Sequence, residues 1–276
     1  MSIFSEISPG VVLPVPEDYF ANDLVAMLFT IWGGGFAFVL IPWVLRSWIK
    51  DGDKTLMWMW LGGLICSVIE PMLDHLGHLW YPTNLPGPAF IGFDLHIPYL
   101  IPPCYVAFIS MTGYWAYTKM RDGLDLKGLF MVWLIIASTD LALEIPGTAT
   151  GAYTYYGDVP FKILGFPMAW SWLNGTSMLM VGFLLWLVKP HLKGNSSAFI
   201  MLVPVIAMGA SYGMTAWPYF MALNWEMPVY MTYLLTVLSL LLCLLVVRFV
   251  GAVVSSQSDN TVEALGVNTK KRPVTA

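Results

Sequence analysis

The sequence predicts an all-α membrane protein, a polytopic bundle of seven transmembrane helices, on three observations. Hydrophobic residues make up 58% of the chain and charged residues 11%, against about 25% charged in a soluble domain. Windows of roughly 20 apolar residues, each long enough to cross a bilayer core, recur along most of the chain. Twelve of the thirteen lysines and arginines lie at alternate connections between those windows or at the C-terminal end, as retention of positive charge in the cytoplasm requires.

In order, the spans are expected at 20–46, 55–80, 97–120, 127–145, 167–188, 197–223 and 228–250. The first ends in Arg46 and Lys50, and Lys54 precedes the second. Lys119, Arg121 and Lys127 flank the connection after the third. Lys189 and Lys193 follow the fifth, and Arg248, Lys270, Lys271 and Arg272 lie at or after the seventh. Lys162 alone falls on the other side. The N-terminus is therefore expected outside and the C-terminus in the cytoplasm, in a multi-pass protein of the plasma (inner) membrane. Three divisions follow: an extracytoplasmic arm over 1–19, the transmembrane domain over 20–251, and a cytoplasmic tail over 252–276. The tail has no apolar periodicity and is expected to be disordered. A net charge of −4 without a basic patch argues against nucleic acid as a partner. Cys66, Cys104 and Cys243 sit in apolar segments without metal-ligand spacing and read as packing residues. The run Gly33-Gly34-Gly35 permits close helix contact and leaves the oligomeric state open.

The two longest connections, 81–96 and 146–166, face outward and carry little charge. Both are rich in proline, glycine and aromatics, a composition expected to fold back over the helix ends and close a cavity.

Ionisable groups inside the spans carry the functional signal, because each is costly at bilayer depth without a partner or a wet cavity. Glu70, Asp74, His75 and His78 lie in the second span; Asp140 and Glu144 lie in the fourth. At helical spacing Glu70, Asp74 and His78 form one stripe, and Asp140 stacks on Glu144. Both sets lie towards the outer ends of their spans, so a bundle can gather them around one pocket. Pro71 after Glu70 removes a backbone donor, orphans the carbonyl of Ser67 and predicts a kink; Pro146 follows Glu144 similarly. Glu70, Glu144, Asp74 and Asp140 are the candidate catalytic groups. The alternative is that they hold helices together by hydrogen bonds, as buried polar groups in membranes also do.

His75, His78, Tyr81, Tyr105, Tyr153, Asn174 and Trp217 are the candidate substrate-binding residues, with Tyr212 and Tyr114 further possible lining. Aromatic faces stabilise cationic intermediates; packing is the competing role of each. A metal held by Glu70, Asp74, His75 and His78 would lack a second histidine cluster, since His96 and His191 are isolated, so no metal or other cofactor is expected. Glu70 and Glu144 each precede a proline, an aromatic connection, a Gly-Phe pair (Gly92-Phe93, Gly165-Phe166) and a further proline (Pro98, Pro167). This suggests a repeat of helix pairs with one extra helix, with chance resemblance in so apolar a chain as the alternative.

The stretches Glu70-Pro71-Met72-Leu73-Asp74-His75-Leu76-Gly77-His78-Leu79-Trp80-Tyr81-Pro82 and Pro86-Gly87-Pro88-Ala89-Phe90, continuing to Pro102-Pro103-Cys104-Tyr105, resemble the spirocyclase AveC family. These are bacterial membrane proteins associated with cyclisation and dehydration of polyketide spiroketals in secondary metabolite biosynthesis. More loosely, the chain is similar to the integral membrane terpene cyclases and the small lycopene cyclases, which start cyclisation from membrane carboxyls. The resemblance implies Glu70 and Glu144 as proton donors. Together these readings predict a cofactor-independent cyclase, an isomerase or lyase acting by carboxyl acid–base chemistry on a lipophilic polyketide or isoprenoid. A proton-coupled transporter of a small lipophilic solute is the alternative, because membrane carboxyls also serve proton relays. A retinal-type receptor is excluded, since residues 228–247 hold no lysine for a Schiff base.

Overall fold

Helix dominates the computed structural model, which describes residues 15–264. Residues 1–14 of the expected N-terminal arm and 265–276 of the expected tail lie outside the described residues. Among the described residues the helices join end to end into seven rods. Six of them, all but the third, are long and apolar enough to cross a membrane by length and composition.

The first rod joins Asp23–Val39 to Ile41–Asp51. Asn22 caps it by accepting from the amide of Leu24, a standard N-terminal device for satisfying an orphan donor. The second rod is Thr55–Cys66, a 3₁₀ turn at Ser67–Ile69, then Glu70–Gly77. Pro71 occupies the first turn of that last segment, where its missing donor costs little. The carbonyl of Ser67 is not orphaned as expected: it accepts the amide of Glu70 in the tighter 3₁₀ pattern. The expected stripe also ends early. His78 lies beyond the helix in a left-handed cap (φ 59°), so it does not extend the Glu70–Asp74 face.

The third rod comprises Ile101–Tyr105, a π-helical stretch Val106–Met111 and Thr112–Arg121. The fourth, Leu126–Thr150, contains Pro146 and runs five residues past its expected end before Gly151 closes it at φ 78°. The fifth is Met168–Val188. The sixth joins a 3₁₀ stretch Gly194–Leu202 to Val203–Thr215 and Trp217–Asn224. The seventh, Val229–Ala264, continues through residues 252–264, so the first half of the expected disordered tail is helical.

The fifth rod is the hub, packed on the third, fourth, sixth and seventh. Small residues bring these backbones together, as membrane bundles require. A Cβ on Gly182 would lie 2.7 Å from the Cβ of Ala116, and one on Gly113 would lie 2.3 Å from Val181. The first rod, the least buried of the six, leans on the third. Gly33 faces Leu100 there, with only 2.8 Å from a virtual Cβ to Cδ1, so the glycine run is used at least partly inside the chain.

The fold is helical, and its only strands among the described residues are short ribbons in and between the connections. The two long connections contain short antiparallel ribbons: Phe90–Gly92 with Leu95–Ile97, and Lys162–Ile163 with Phe166–Pro167. Their turns carry paired left-handed residues, Phe93 and Asp94 in one and Leu164 and Gly165 in the other. The Gly-Phe pairs therefore stand at different turn positions, and the sequence echo does not superpose residue for residue. A third ribbon pairs Leu79 with Tyr155 and Trp80 with Thr154. It fastens one connection to the other over the same end of the bundle.

Candidate functional site

That fastening gathers the carboxyls. Glu70, at the 3₁₀-to-α junction, is buried and accepts two tyrosine hydroxyls: Tyr81 reaches Oε1 at 2.6 Å and Tyr105 reaches Oε2. Tyr81 comes from the connection after the second rod and Tyr105 from the first turns of the third. Glu144, partly buried in the fourth rod, accepts Tyr153 at Oε2. The hydroxyl of Tyr153 also lies 3.0 Å from the backbone carbonyl of Glu144. Burial pushes the Tyr81 and Tyr153 hydroxyls well above the ordinary tyrosine range, and the neighbouring carboxyls push the same way. Both remain protonated donors, since a charged phenolate is disfavoured away from water.

Both glutamates line one cavity of about 100 Å³, together with Asp74, Tyr81, Tyr105, Tyr153 and Asn174. Asp74 is 3% exposed, and its Oδ2 is buried without a hydrogen-bond partner among the described residues. Six expected site residues besides Glu70 therefore converge, drawn from the second, third, fourth and fifth rods and both connections.

Asp140 is placed differently. It is buried behind Asn174, whose amide donates to its Oδ1 at 3.0 Å, and it does not line the cavity. Tyr212 donates to the carbonyl oxygen of the same Asn174. The two contacts fix which way the amide points, because its nitrogen can only donate and its oxygen only accept. Asp140 is thus a positioning group for Asn174.

Three expected residues do not join the cavity. His75 is exposed and stacks on Phe93 with ring centroids 5.3 Å apart. His78 is buried, turned aside by its left-handed backbone, and stacks on Tyr156 at 4.9 Å. Trp217 is 46% exposed, on the outer surface of the sixth rod. No group of three or more His, Cys, Asp or Glu among the described residues is arranged to hold a metal ion.

Tyr155 and Trp170 also line the cavity and were not among the expected residues. Tyr155 stands two residues on from Tyr153, in the strand that pairs with Leu79, and Trp170 lies one helical turn before Asn174. Both follow from periods of two and four once the local structure is known.

The other end of the bundle is held by charge. Lys189 Nζ lies 2.9 Å from Asp53 Oδ2, and Asp53 Oδ1 accepts both the amide and the hydroxyl of Thr55. No family model, no curated protein and no solved structure matches the chain.

Proposed function

We propose that the chain is a seven-span membrane enzyme that isomerises, cyclises or dehydrates a lipophilic substrate by carboxyl acid–base chemistry. The observation that carries this reading is the pair Glu70 and Glu144 on one aromatic-walled cavity, each held by tyrosine hydroxyls. Asp74 Oδ2 is buried beside both glutamates without a hydrogen-bond partner among the described residues, so the cavity keeps acceptor capacity that the helices do not use. The lysine and arginine distribution supports placing the N-terminus outside, the C-terminus in the cytoplasm and the cavity in the outer half of a bacterial plasma membrane. The two paired connections support a repeat of helix pairs in architecture. The resemblance to the spirocyclase AveC family supports a polyketide or isoprenoid as substrate.

The hydrogen bonds divide the roles. Glu70 accepts at both oxygens, the arrangement of a carboxylate, which only accepts. Glu144 accepts at one and keeps Oε1 to present a proton. Glu144 then protonates an alkene, carbonyl or hydroxyl, and Glu70 removes a proton from the resulting cation. In an isomerisation or cyclisation one proton enters and one leaves. In a dehydration the protonated hydroxyl departs as water. Tyr105, Tyr155, Trp170 and Tyr212 shield the cation with their ring faces.

The test compares lipid extracts by mass spectrometry from a deletion host expressing the wild type or Glu144→Gln. A compound converted to an isomer, or losing one water, only with the wild type supports the reading and names the substrate. Matching extracts, with altered uptake or export of a solute, overturn it in favour of a proton-coupled carrier.

A further inference from the structure

The carboxyl cavity, at about 100 Å³, is smaller than the roughly 300–1,000 Å³ of a site that encloses a whole drug-sized ligand. It has room for the reacting end of a lipophilic molecule and not for the rest. Two further hollows adjoin it between the first and fourth rods. One, of about 520 Å³, lies towards the paired connections and is walled by Leu28, Phe29, Ala142 and Pro146 among others. The other, of about 200 Å³, lies deeper and reaches the third rod at Cys104 and Phe108. Trp32 of the first rod and Leu143 of the fourth line all three spaces. Phe29 is shared by the cavity and the larger hollow, and Cys104 and Phe108 by the cavity and the deeper one.

We propose that the crevice between the first and fourth rods is a binding groove for the hydrocarbon chain of a single-chain amphiphile. The substrate slides in from the bilayer with its alkene or oxygen-bearing end between Glu70 and Glu144, and Trp32 and Leu143 form the threshold. The assignment rests on the carboxyl cavity being the reaction site, and it names the substrate class: long, thin, and reactive at one end.

Three observations select this occupant. The groove walls are mostly apolar, Thr112, Thr139, Asp140 and Thr150 being their main polar members. Both flanking rods are long and apolar enough to cross a membrane, so in a bilayer the mouth of the groove meets acyl chains rather than water. The first rod, the least buried of the six, packs chiefly on the third and second rods, and it turns Leu28, Ile31 and Phe36 outward at 47–63% exposure. A chain displacing lipid from such a groove exchanges one apolar contact for another, and the polar end group alone determines binding in the cavity.

The full-length protein in phosphatidylglycerol nanodiscs, mixed with a C16 alcohol carrying a mid-chain diazirine, provides the test. After irradiation, adducts are mapped by peptide mass spectrometry. Lateral binding predicts adducts on Cys104 and Phe108 alongside those on the exposed Leu241 and Leu245 of the seventh rod. Leu143→Trp, which fills the threshold, is expected to lower the Cys104 and Phe108 adducts at least fivefold and leave Leu241 and Leu245 unchanged. Ala142→Trp, at an exposed position on the mouth, gives the same result should Leu143→Trp fail to fold. Absence of Cys104 and Phe108 adducts in the wild type, or equal labelling in a folded plugged variant, overturns the groove. Glu144→Gln separates the two readings: its amide still hydrogen-bonds the alcohol, so the adducts persist, while turnover of the extract compound is lost only if the cavity is catalytic. Adducts without turnover of any extract compound would leave the groove standing and remove the enzyme reading.

Discussion

Glu70 and Glu144 begin from similar local sequences, a glutamate near the end of an apolar rod with a proline one residue on (Pro71) or two (Pro146), and arrive at different environments. At Glu70 the helix is re-started: a 3₁₀ turn at Ser67–Ile69 places Pro71 in a first turn. At Glu144 the helix runs through Pro146 to Thr150. Glu70 is the more buried and takes two tyrosine donors from different elements. Glu144 takes one, from a residue only nine positions on. The lesson is that a proline beside a membrane carboxyl does not define the carboxyl's role. Its hydrogen-bond donors do: Tyr81 and Tyr153 return from the connections eleven and nine positions on, and Tyr105 comes from the next rod, 35 positions on.

The strongest way to break this contrast is to neutralise each carboxyl. Glu70→Gln and Glu144→Gln are each expected to lower turnover of the compound found in the extract comparison by about 10²–10⁴-fold, the usual contribution of a positioned acid or base. Removing only one of the two activities, with the other variant near wild type, would end the acid–base pairing.

Donor number sharpens it next. Tyr153→Phe strips Glu144 of its only tyrosine donor and is expected to lower kcat about 10–100-fold, from the roughly 1.5–3 kcal/mol of a hydrogen bond to a charged group. Tyr81→Phe leaves Tyr105 on Glu70 and should cost less, about 2–10-fold. A Tyr81→Phe loss equal to or above that of Tyr153→Phe would show that the two sites do not differ as their geometry states.

Backbone crowding gives a smaller effect on both sides. A Cβ at Gly147 would stand 2.4 Å from Cε1 of Tyr153, whereas one at Gly92 would stand 2.9 Å from Cβ of Pro71. Gly147→Ala should displace Tyr153 and reproduce part of the Tyr153→Phe loss, with destabilisation of about 1–3 kcal/mol as for other overpacked sites. Gly92→Ala should lower Tm less and leave kcat within about twofold. Thermal melts in detergent and initial rates separate the two.

The smallest effect tests that the far end is independent of both carboxyls. Burial would raise the carboxyl of Asp53, but hydrogen bonds from Thr55 and Lys189 outweigh it and hold Asp53 below the ordinary aspartate range. Burial alone would lower Lys189; its hydrogen bond to Asp53 prevails and raises it. The aspartate contribution is therefore present above an unfolded value of about 3.9 and lost as pH falls through the lower folded value; the lysine contribution is present below about 10.4 and lost as pH rises through the higher one. Between those limits Asp53→Asn should cost a constant amount of about 0–1 kcal/mol, the usual worth of a partly exposed pair, without changing kcat. A change in the pH–rate profile of Asp53→Asn would connect the two ends.

By itself the sequence determined the apolar rods, their approximate limits, and the gathering of charge at one end and carboxyls at the other. It also contained Glu70, Asp74, Tyr81, Tyr105, Glu144, Tyr153 and Asn174 as candidates for one cavity. These are legible because burying a charge or exposing an apolar stretch is costly wherever it occurs, and composition registers that cost. Tertiary structure decided the rest. It turned His78 out of the expected stripe through one left-handed residue, put Asp140 behind Asn174 rather than in the cavity, and left Trp217 on the surface. It carried the fourth helix beyond Pro146, and it brought Tyr155 and Trp170 to the carboxyls through the pairing of Leu79 with Tyr155. The places of Asp140 and Tyr155 depend on contacts between residues 34 and 76 positions apart, where the deciding energies are those of packing and hydrogen bonding between elements rather than of the local chain.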